Sequence, residues 1–275
     1  MRILLIVIIW GIVTGSVFSE ELTAPLQVDE IVQKANYMAL YQGADMKGKV
    51  TMKITDKQGR IRERKFNMLR KNDDGKDQNQ KFYTYFQSPA DVRKMAFMVH
   101  KHAELEKDDD RWLYMPGLDL VKRIAAGDKR TSFAGSDFLY EDISGRSPEE
   151  DIHELIETTE DHYIIKNVPK NPGSVEFEYY IAVIEKSNFL PVKMEFFKKG
   201  ERLYRVIQNM KIENIPSKKD GRQVTYSTVT VSVAKDLDSG GSTEMTFSSI
   251  KYNIGLKDNL FTERYLRRPP REAVR

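Results

Sequence analysis

Apolar and polar residues alternate along most of this chain, and that period predicts β-strands. The pattern begins at residue 45, where Met52 and Ile54 alternate with Lys53 and Thr55. A period of two gives a strand one buried side and one side that faces solvent. Together with short apolar runs bounded by turn residues, it predicts further strands at residues 60–70, 81–87, 96–101, 111–115, 119–124, 152–158, 162–167, 175–183, 190–197, 202–214, 222–235 and 243–252.

Residues 28–41 show a different period, in which Ile31, Ala35 and Met38 recur at helical spacing. We predict one amphipathic helix there, and Asp29 is the candidate capping residue at its start. It is the one long helix that the pattern predicts after the N-terminal segment.

The connections between the later predicted strands are mostly short, which favours antiparallel neighbours over parallel strands joined by helices. No break in composition marks a domain boundary, and the sequence contains no repeat of fixed period. The pattern therefore predicts a mainly β protein with one large, twisted antiparallel sheet of roughly ten strands. Because a sheet of that size tends to curl, the helix and short helical turns are expected to cover the inside of the curl.

The first 19 residues have the layout of a secretory signal peptide. Arg2 precedes an apolar run from Ile3 to Val13, and Ser19 precedes two glutamates. We expect cleavage after residue 19, which leaves residues 20–275 as a single domain; an uncleaved membrane anchor is the alternative. Since the chain contains no cysteine, it needs no oxidising folding step, and a bacterial periplasm is the expected compartment.

Composition argues against several functions. Without cysteine the chain has no disulfide, thiol nucleophile or iron–sulfur cluster. Its 44 basic and 41 acidic residues leave a net charge of +3, which is too balanced to indicate nucleic acid as a partner. No glycine-rich phosphate loop or nucleophile elbow is present, so we expect no cofactor. His100, His102 and Glu104 share one strand face and could bind a metal, but we favour a solvated polar face and expect no metal.

Residues 110–146 are rich in aromatic and charged side chains. Trp112 and Tyr114 lie on a short predicted strand, Phe133 lies in a loop, and Phe138 lies in a short predicted helix after it. The segment is either a mobile aromatic flap over a hydrophobic cavity or a loop whose aromatic side chains complete the core.

The same segment carries a family resemblance. Its runs WLYMPGL, KRI and GDKRTSFAGSDFLYED resemble the outer membrane lipoprotein-sorting, LolA-like family of exported bacterial proteins, and residues 258–267 (DNLFTERYLR) resemble the C-terminal ending of that family. The resemblance is to a transporter-associated subgroup that is distant from LolA proper. It implies one curved antiparallel sheet, a half-open barrel, with helices on its concave face and an apolar cavity for acyl chains. The resemblance also implies that the protein functions together with membrane transporters of the resistance–nodulation–division type.

We therefore expect a periplasmic carrier, not an enzyme, that binds the acyl chains of lipids or lipoproteins for transfer across the cell envelope, with transient membrane contact. The lid is either the loop 131–140 or the first helix. The candidate residues of the cavity and its lid are Met52, Phe97, Trp112, Tyr114, Phe133 and Phe138.

Two other functions remain open. The chain could be an accessory or scaffold subunit of an envelope transporter that binds no lipid, or a hydrolase with a dispersed site around His100, His102 and Glu104. A scaffold would have a filled core, whereas a carrier would keep an apolar cavity.

The C-terminal residues are basic. Five arginines from Arg264 onwards outnumber Glu263 and Glu272. They could contact anionic lipid headgroups, but we favour a solvated, frayed end.

Overall fold

The computed structural model describes residues 26–73, 79–104 and 106–274. The predicted signal peptide, residues 1–19, lies outside these ranges. Within them, no helix combines the length and the apolar character that crossing a membrane requires.

In the described part of the chain, thirteen strands form a single sheet in which all neighbouring strands are antiparallel. The strands are β1 (Asp45–Thr55), β2 (Ile61–Asn72), β3 (Gln80–Ser88), β4 (Ala96–Lys101), β5 (Asp110–Met115), β6 (Leu120–Ile124), β7 (Asp151–Thr158), β8 (His162–Pro169), β9 (Tyr179–Glu185), β10 (Pro191–Lys198), β11 (Arg202–Lys219), β12 (Arg222–Asp236) and β13 (Gly241–Tyr252). Their order is β6-β5-β4-β3-β2-β1-β13-β12-β11-β10-β9-β8-β7. The sheet is not closed, since β6 and β7 are its edges.

The mainly β, antiparallel prediction is confirmed, with more strands than the roughly ten expected. Two strands depart clearly from the predicted bounds: β11 extends beyond residue 214 to Lys219, and the strand predicted at residues 175–183 begins only at Tyr179. Glu176 is bound by Arg130 and the Tyr204 hydroxyl, and Phe177 packs edge-on against Phe196. These contacts hold the chain before Tyr179 against the inside of the sheet instead of extending the strand.

The predicted N-terminal helix is present. It runs as α1 (Val28–Asn36) and continues as a π-helical turn, Tyr37–Tyr41. Its capping position is Gln27 and not Asp29, because the backbone N–H of Gln27 donates to the Glu30 carboxylate at 3.1 Å. The other helices are α2 (Tyr140–Ser144), α3 (Arg264–Arg267) and α4 (Arg271–Val274), and 3₁₀ turns occur at Pro116–Leu118, Ala126–Asp128, Phe133–Gly135, Pro148–Glu150, Pro172–Ser174 and Asp258–Leu260.

Residues that line one cavity show that the sheet is curved. Phe82 on β3 and Asn167 on β8 both line a cavity of about 300 Å³. In a flat sheet those two strands would be separated by eight spacings of about 4.8 Å, roughly 38 Å in all. That separation is far larger than the width of such a cavity. The sheet therefore curls around the cavity and has an inner and an outer face.

The outer face of strands β2 to β5 is covered by the C-terminal segment, residues 256–274. Phe261 and Leu266 are fully buried there, in one cluster with Tyr83 and Met98. The Asn67 side chain donates to the backbone carbonyl of Ala273 at 2.8 Å. The expectation of a solvated, frayed end is therefore wrong, since the basic residues alternate with apolar ones that dock on the sheet. With both faces covered, β3, β4 and the second half of β2 are buried almost continuously, as in sheets packed on both sides.

Candidate functional site

A cavity of about 300 Å³ lies between the inner face of the sheet and the segments that cover it. Its floor is formed by strands from both halves of the sheet, and its roof by α1, the π turn and α2. The volume is at the lower end of the range for small-molecule pockets, about 300–1,000 Å³. The lining is rich in methionine and phenylalanine: Met46, Met68, Met194, Met245, Phe82 and Phe247. Methionine side chains are flexible and adapt to ligands of different shape.

Helix α1 covers the cavity along strands β8 and β9. Ile31 and Ala35 lie one helical turn apart and therefore share a face. Both are buried against Ile165, Ala182 and Ile184. This contact explains the spacing seen in the sequence and places the helix across the sheet.

The π turn that follows α1 closes against α2. Gly145, at the end of α2, has a φ of +83°, and a Cβ atom there would lie 2.1 Å from Cδ1 of Leu40. On the other side of the turn, the Gln42 side-chain amide donates to the Ser227 carbonyl at 2.7 Å. The turn is thus held between α2 and β12, and it forms one wall of the cavity.

A buried cluster of charges forms the polar side of the cavity. Glu141 is almost fully buried, and its carboxylate pairs with three cations. The Lys129 ammonium lies at 3.0 Å, the Arg146 guanidinium at 3.5 Å, and the Arg130 guanidinium donates to the second oxygen. Three cations around one carboxylate need further anions for balance.

Those anions lie on the segments beside the cluster. Arg130 donates from Nε and Nη2 to the two carboxylate oxygens of Glu176, each at 2.7 Å. Arg146 donates to Asp151 at 2.8 and 2.9 Å, and the Tyr180 hydroxyl donates to the same carboxylate at 3.1 Å. These charged groups thus find their hydrogen-bond and ion-pair partners within the protein.

The pKa values of the carboxyls reflect this pairing. Burial alone would raise the pKa of Glu141, but the charges of Arg130, Lys129 and Arg146 outweigh it and lower the pKa to about 2. For Glu176, burial also opposes ionisation, but the hydrogen bonds and charge of Arg130 lower its pKa below the ordinary value. Both groups are therefore carboxylates at neutral pH.

The loop 131–140 is anchored in the core. The Phe133 ring is fully buried and lies 5.8 Å from Phe66 and Phe86, and 5.6 Å from Phe97 and Tyr140. Aromatic contacts of this kind stabilise beyond the area they bury. The geometry favours a loop whose aromatic side chains complete the core over a mobile flap. Helix α2 begins after Phe138, which precedes it instead of lying within it.

The six residues predicted from the sequence do not all lie together. Met52, Phe97, Phe133 and Phe138 belong to the main inner cluster, and among them Phe138 also lines the cavity. Trp112 and Tyr114 belong to the outer cluster, against the C-terminal segment. On β5 it is the intervening residue, Leu113, that packs against the inner cluster. The period of two places residues 112 and 114 on one face but does not say which face, and a binding role for the six stays a prediction.

Several lining residues were missed by sequence reasoning. Met46, Met194, Phe247 and Ile250 line the cavity, and they come from three strands far apart in the sequence. Each occupies an apolar position of an alternating strand, which was the available signal. That signal does not distinguish a residue at a cavity from one in the packed core.

The candidate metal site is not assembled. The His100 ring nitrogen Nε2 lies 2.9 Å from the carbonyl of Phe261, and the ring packs on Trp112. His102 Nε2 lies 3.1 Å from the Asp110 carboxylate. Over the described ranges, no group of three or more histidine, aspartate or glutamate side chains is placed to hold a metal ion.

Residues 78–268 match a family model described as "Uncharacterized protein". No curated protein matches the sequence. A DUF1329 family protein from Desulfovibrio piger is 26% identical, with a TM-score of 0.75 over 86% of this chain and 97% of that chain.

Two further solved structures share the fold. A domain from Vibrio parahaemolyticus, described as an outer membrane lipoprotein-sorting protein, is 25% identical, with a TM-score of 0.74 over 87% of this chain and 98% of that chain. A LolA superfamily protein from Nitrosomonas europaea is 19% identical, with a TM-score of 0.63 over 88% of this chain and 100% of that chain. The likeness in this last case concerns the fold.

Proposed function

Since the chain belongs to the family whose model matches residues 78–268 and shares its fold with lipoprotein-sorting and LolA superfamily proteins, we propose that it is a periplasmic carrier. It takes the acyl chain of a lipid or lipoprotein into the cavity under α1 and carries it across the envelope. The observation that carries this proposal is the methionine-rich apolar cavity, whose neighbouring charges are engaged with one another.

The physical basis is the cost of exposing an acyl chain to water. Burial of apolar surface is worth about 25 cal/mol per Å², or roughly 0.8 kcal/mol for each methylene group. A cavity that covers the chain removes this cost without any catalytic group. Because Arg130 and Arg146 already bind Glu176 and Asp151, a charged headgroup gains little inside, and it stays at the mouth of the cavity.

Lipid analysis and acyl-probe binding test the proposal. We expect protein purified from its native host to carry acyl lipid by mass spectrometry, and the lipid-free protein to bind a fluorescent fatty acid. Met46→Trp should fill the cavity and weaken probe binding at least tenfold, whereas Leu155→Trp, at an exposed position of β7, should leave it unchanged. Absence of both lipid and probe binding contradicts the carrier function, and the intact mass of the same sample reports whether the first 19 residues are removed.

The family resemblance supports a transporter of the resistance–nodulation–division type as a partner in transfer, and an exposed strand edge offers a place for it. On the edge strand β7, Ile152, Leu155 and Ile156 are exposed. Unpaired strand edges accept strands from other proteins. This observation favours the second candidate function, that of an accessory transporter subunit. Leu155→Lys should then abolish association with the transporter while acyl-probe binding is kept.

A further inference from the structure

Strands β12 and β13 are joined over only part of their length. They pair from Asp236 opposite Gly241 to Val231 opposite Thr246. Beyond that point β12 continues beside β11, and β13 continues beside β1. Within these two described strands, no ladder connects residues 222–230 with residues 247–252, and the sheet has a gap there.

The gap is closed again at its far end by side chains. The Tyr252 and Thr228 hydroxyls lie 3.0 Å apart, and the Ser217 hydroxyl donates to the Tyr252 carbonyl at 2.9 Å. The Tyr226 and Tyr252 rings are 4.5 Å apart. In addition, β13 bulges opposite Gly48, where Ser249 has a φ of +52°. The gap is therefore a bounded window in the sheet and not a frayed strand end.

The cavity extends to this window. Thr228 and Val229 on one side, and Phe247 and Ile250 on the other, all line the cavity. Each of the four is only partly buried. These four side chains bring the cavity to the opening between the two strands.

The outer rim of the window is rich in lysine. Lys251 lies opposite Lys47, and Lys49 lies opposite Ser248. Met46 and Tyr252 line the cavity, so the alternation of the strands places the adjacent lysines on the outer face. On the other side of the window, the carboxylate of Glu213 is paired with Lys211 at 3.1 Å. Lys49 and Lys251 are both exposed beside the opening, so cationic side chains face solvent there.

We propose that the window between β12 and β13 is the entrance of the cavity, and that its ligand is a single acyl chain with an anionic head group. The tail passes between Val229 and Ile250, and the head stays beside Lys49 and Lys251. The cavity volume of about 300 Å³ favours one chain over two. This inference rests on the proposed carrier function and adds the route and the charge of the ligand.

Blocking the window tests the route. Because the chain contains no cysteine, Val229→Cys can be labelled there alone with a bulky maleimide, and Glu154→Cys, exposed on β7, is the matched control. Stopped-flow association of a fluorescent fatty acid should be at least tenfold slower for the Val229 label and unchanged for the control. Ile250→Cys serves as the second variant if circular dichroism shows that the first does not fold.

The outcomes separate the two proposals. If the unlabelled protein binds no fatty acid, the carrier function fails. If it binds, and labels at residues 229 and 250 leave the association rate at its original value, the carrier function stands and the window is not the entrance.

Charge variants test the head group. Lys49→Gln combined with Lys251→Gln should weaken the binding of dodecanoate and of lysophosphatidylglycerol at least fivefold. The binding of zwitterionic lysophosphatidylcholine should be unchanged. The control is Lys53→Gln combined with Lys235→Gln, two exposed lysines away from the window. Comparison of dodecanoate with lysophosphatidylglycerol distinguishes a fatty acid from a phospholipid as the source. An equal loss of affinity for anionic and zwitterionic ligands would overturn the proposal. Tighter binding of diacyl phosphatidylglycerol than of its lyso form would overturn it as well.

Discussion

At Glu141 three cations meet one buried carboxylate. The segment that supplies Lys129, Arg130, Glu141 and Arg146 is the one whose letters resemble the LolA-like family, and in the structure these charges bind one another and the sheet. A buried ion pair contributes little net stability compared with apolar packing, but loss of one partner is costly because it leaves a buried charge without compensation. The motif thus has a structural role that its letters alone do not reveal.

Glu141→Gln should therefore destabilise the protein in a pH-dependent way. The folded pKa of about 2 lies below the ordinary value of 4.5, so the stabilisation is complete above about pH 4.5 and is lost as the pH falls towards 2. A shift of that size corresponds to about 3 kcal/mol. At pH 7 we expect the variant to lose roughly 3–5 kcal/mol of unfolding free energy, and this deficit should shrink in acid.

Urea unfolding of both proteins between pH 7 and pH 2 measures the effect. Glu154→Gln, which removes an exposed carboxylate on β7, is the control and should follow the wild-type curve. A constant difference between Glu141→Gln and wild type at every pH would contradict the linkage.

Among the elements, α1 is the best candidate for a moving lid. It is held mainly by Ile31 and Ala35, whereas the π turn after it is anchored by Tyr41 in the main inner cluster and by Leu40 against Gly145. The loop 131–140, in contrast, is anchored by the fully buried Phe133. Elements with fewer buried contacts open more readily, so the helix should open before the loop does.

Gly145→Ala should disturb this closure. The backbone of Gly145, at φ +83° and ψ +151°, is strained by roughly 1–3 kcal/mol for any other residue, and the added methyl group meets Leu40. We expect the unfolding free energy to fall by roughly 1–3 kcal/mol, and a bound acyl probe to be released faster. Gly127→Ala is the matched control, since a Cβ atom there meets nothing within 4 Å. Equal behaviour of the two variants in chemical denaturation and in probe release would argue against a closed turn at Gly145.

For the whole molecule, the unusual feature is a curled sheet that is covered on both faces in one half. The inner cover is the segment around Phe133, and the outer cover is residues 256–274. The cavity under α1 lies between the two halves, since strands from both line it. The doubly covered half therefore supplies one wall of the ligand site, and the half under α1 supplies the other.

Phe261→Ala should show that the outer cover belongs to the cooperative core. Phe261 is 1% exposed, and truncation of such a phenylalanine costs about 3–5 kcal/mol. Val274→Ala, at a residue 45% exposed in the same segment, should change the unfolding free energy by less than about 0.5 kcal/mol. Trp112 fluorescence and far-ultraviolet circular dichroism should report one coincident transition. Separate transitions would mean that the segment docks as an independent unit.

The strands and the first helix were predictable because hydrophobic period is a local property of the chain. Residues such as Ile31 and Ala35 show their shared face within one helical turn. For the site, the sequence indicated the segment around Phe133 and Phe138, but it did not show that Trp112 and Tyr114 pack in the outer cluster. A period of two leaves the choice of face open, and long-range pairing makes that choice.

By itself, the sequence determined the secondary structure, the mainly β class and the family resemblance, since each depends on neighbouring residues and short motifs. Only the tertiary structure decided which residues line the cavity, because Met46, Met194 and Phe247 meet through the strand order and curvature of the sheet. It also decided that the charges of residues 129–146 are paired and that the basic C-terminus is docked. The charge pairing depends on how the folded segment orients its side chains, and the docking depends on contacts between residues far apart in the chain. Neither leaves a period in the sequence.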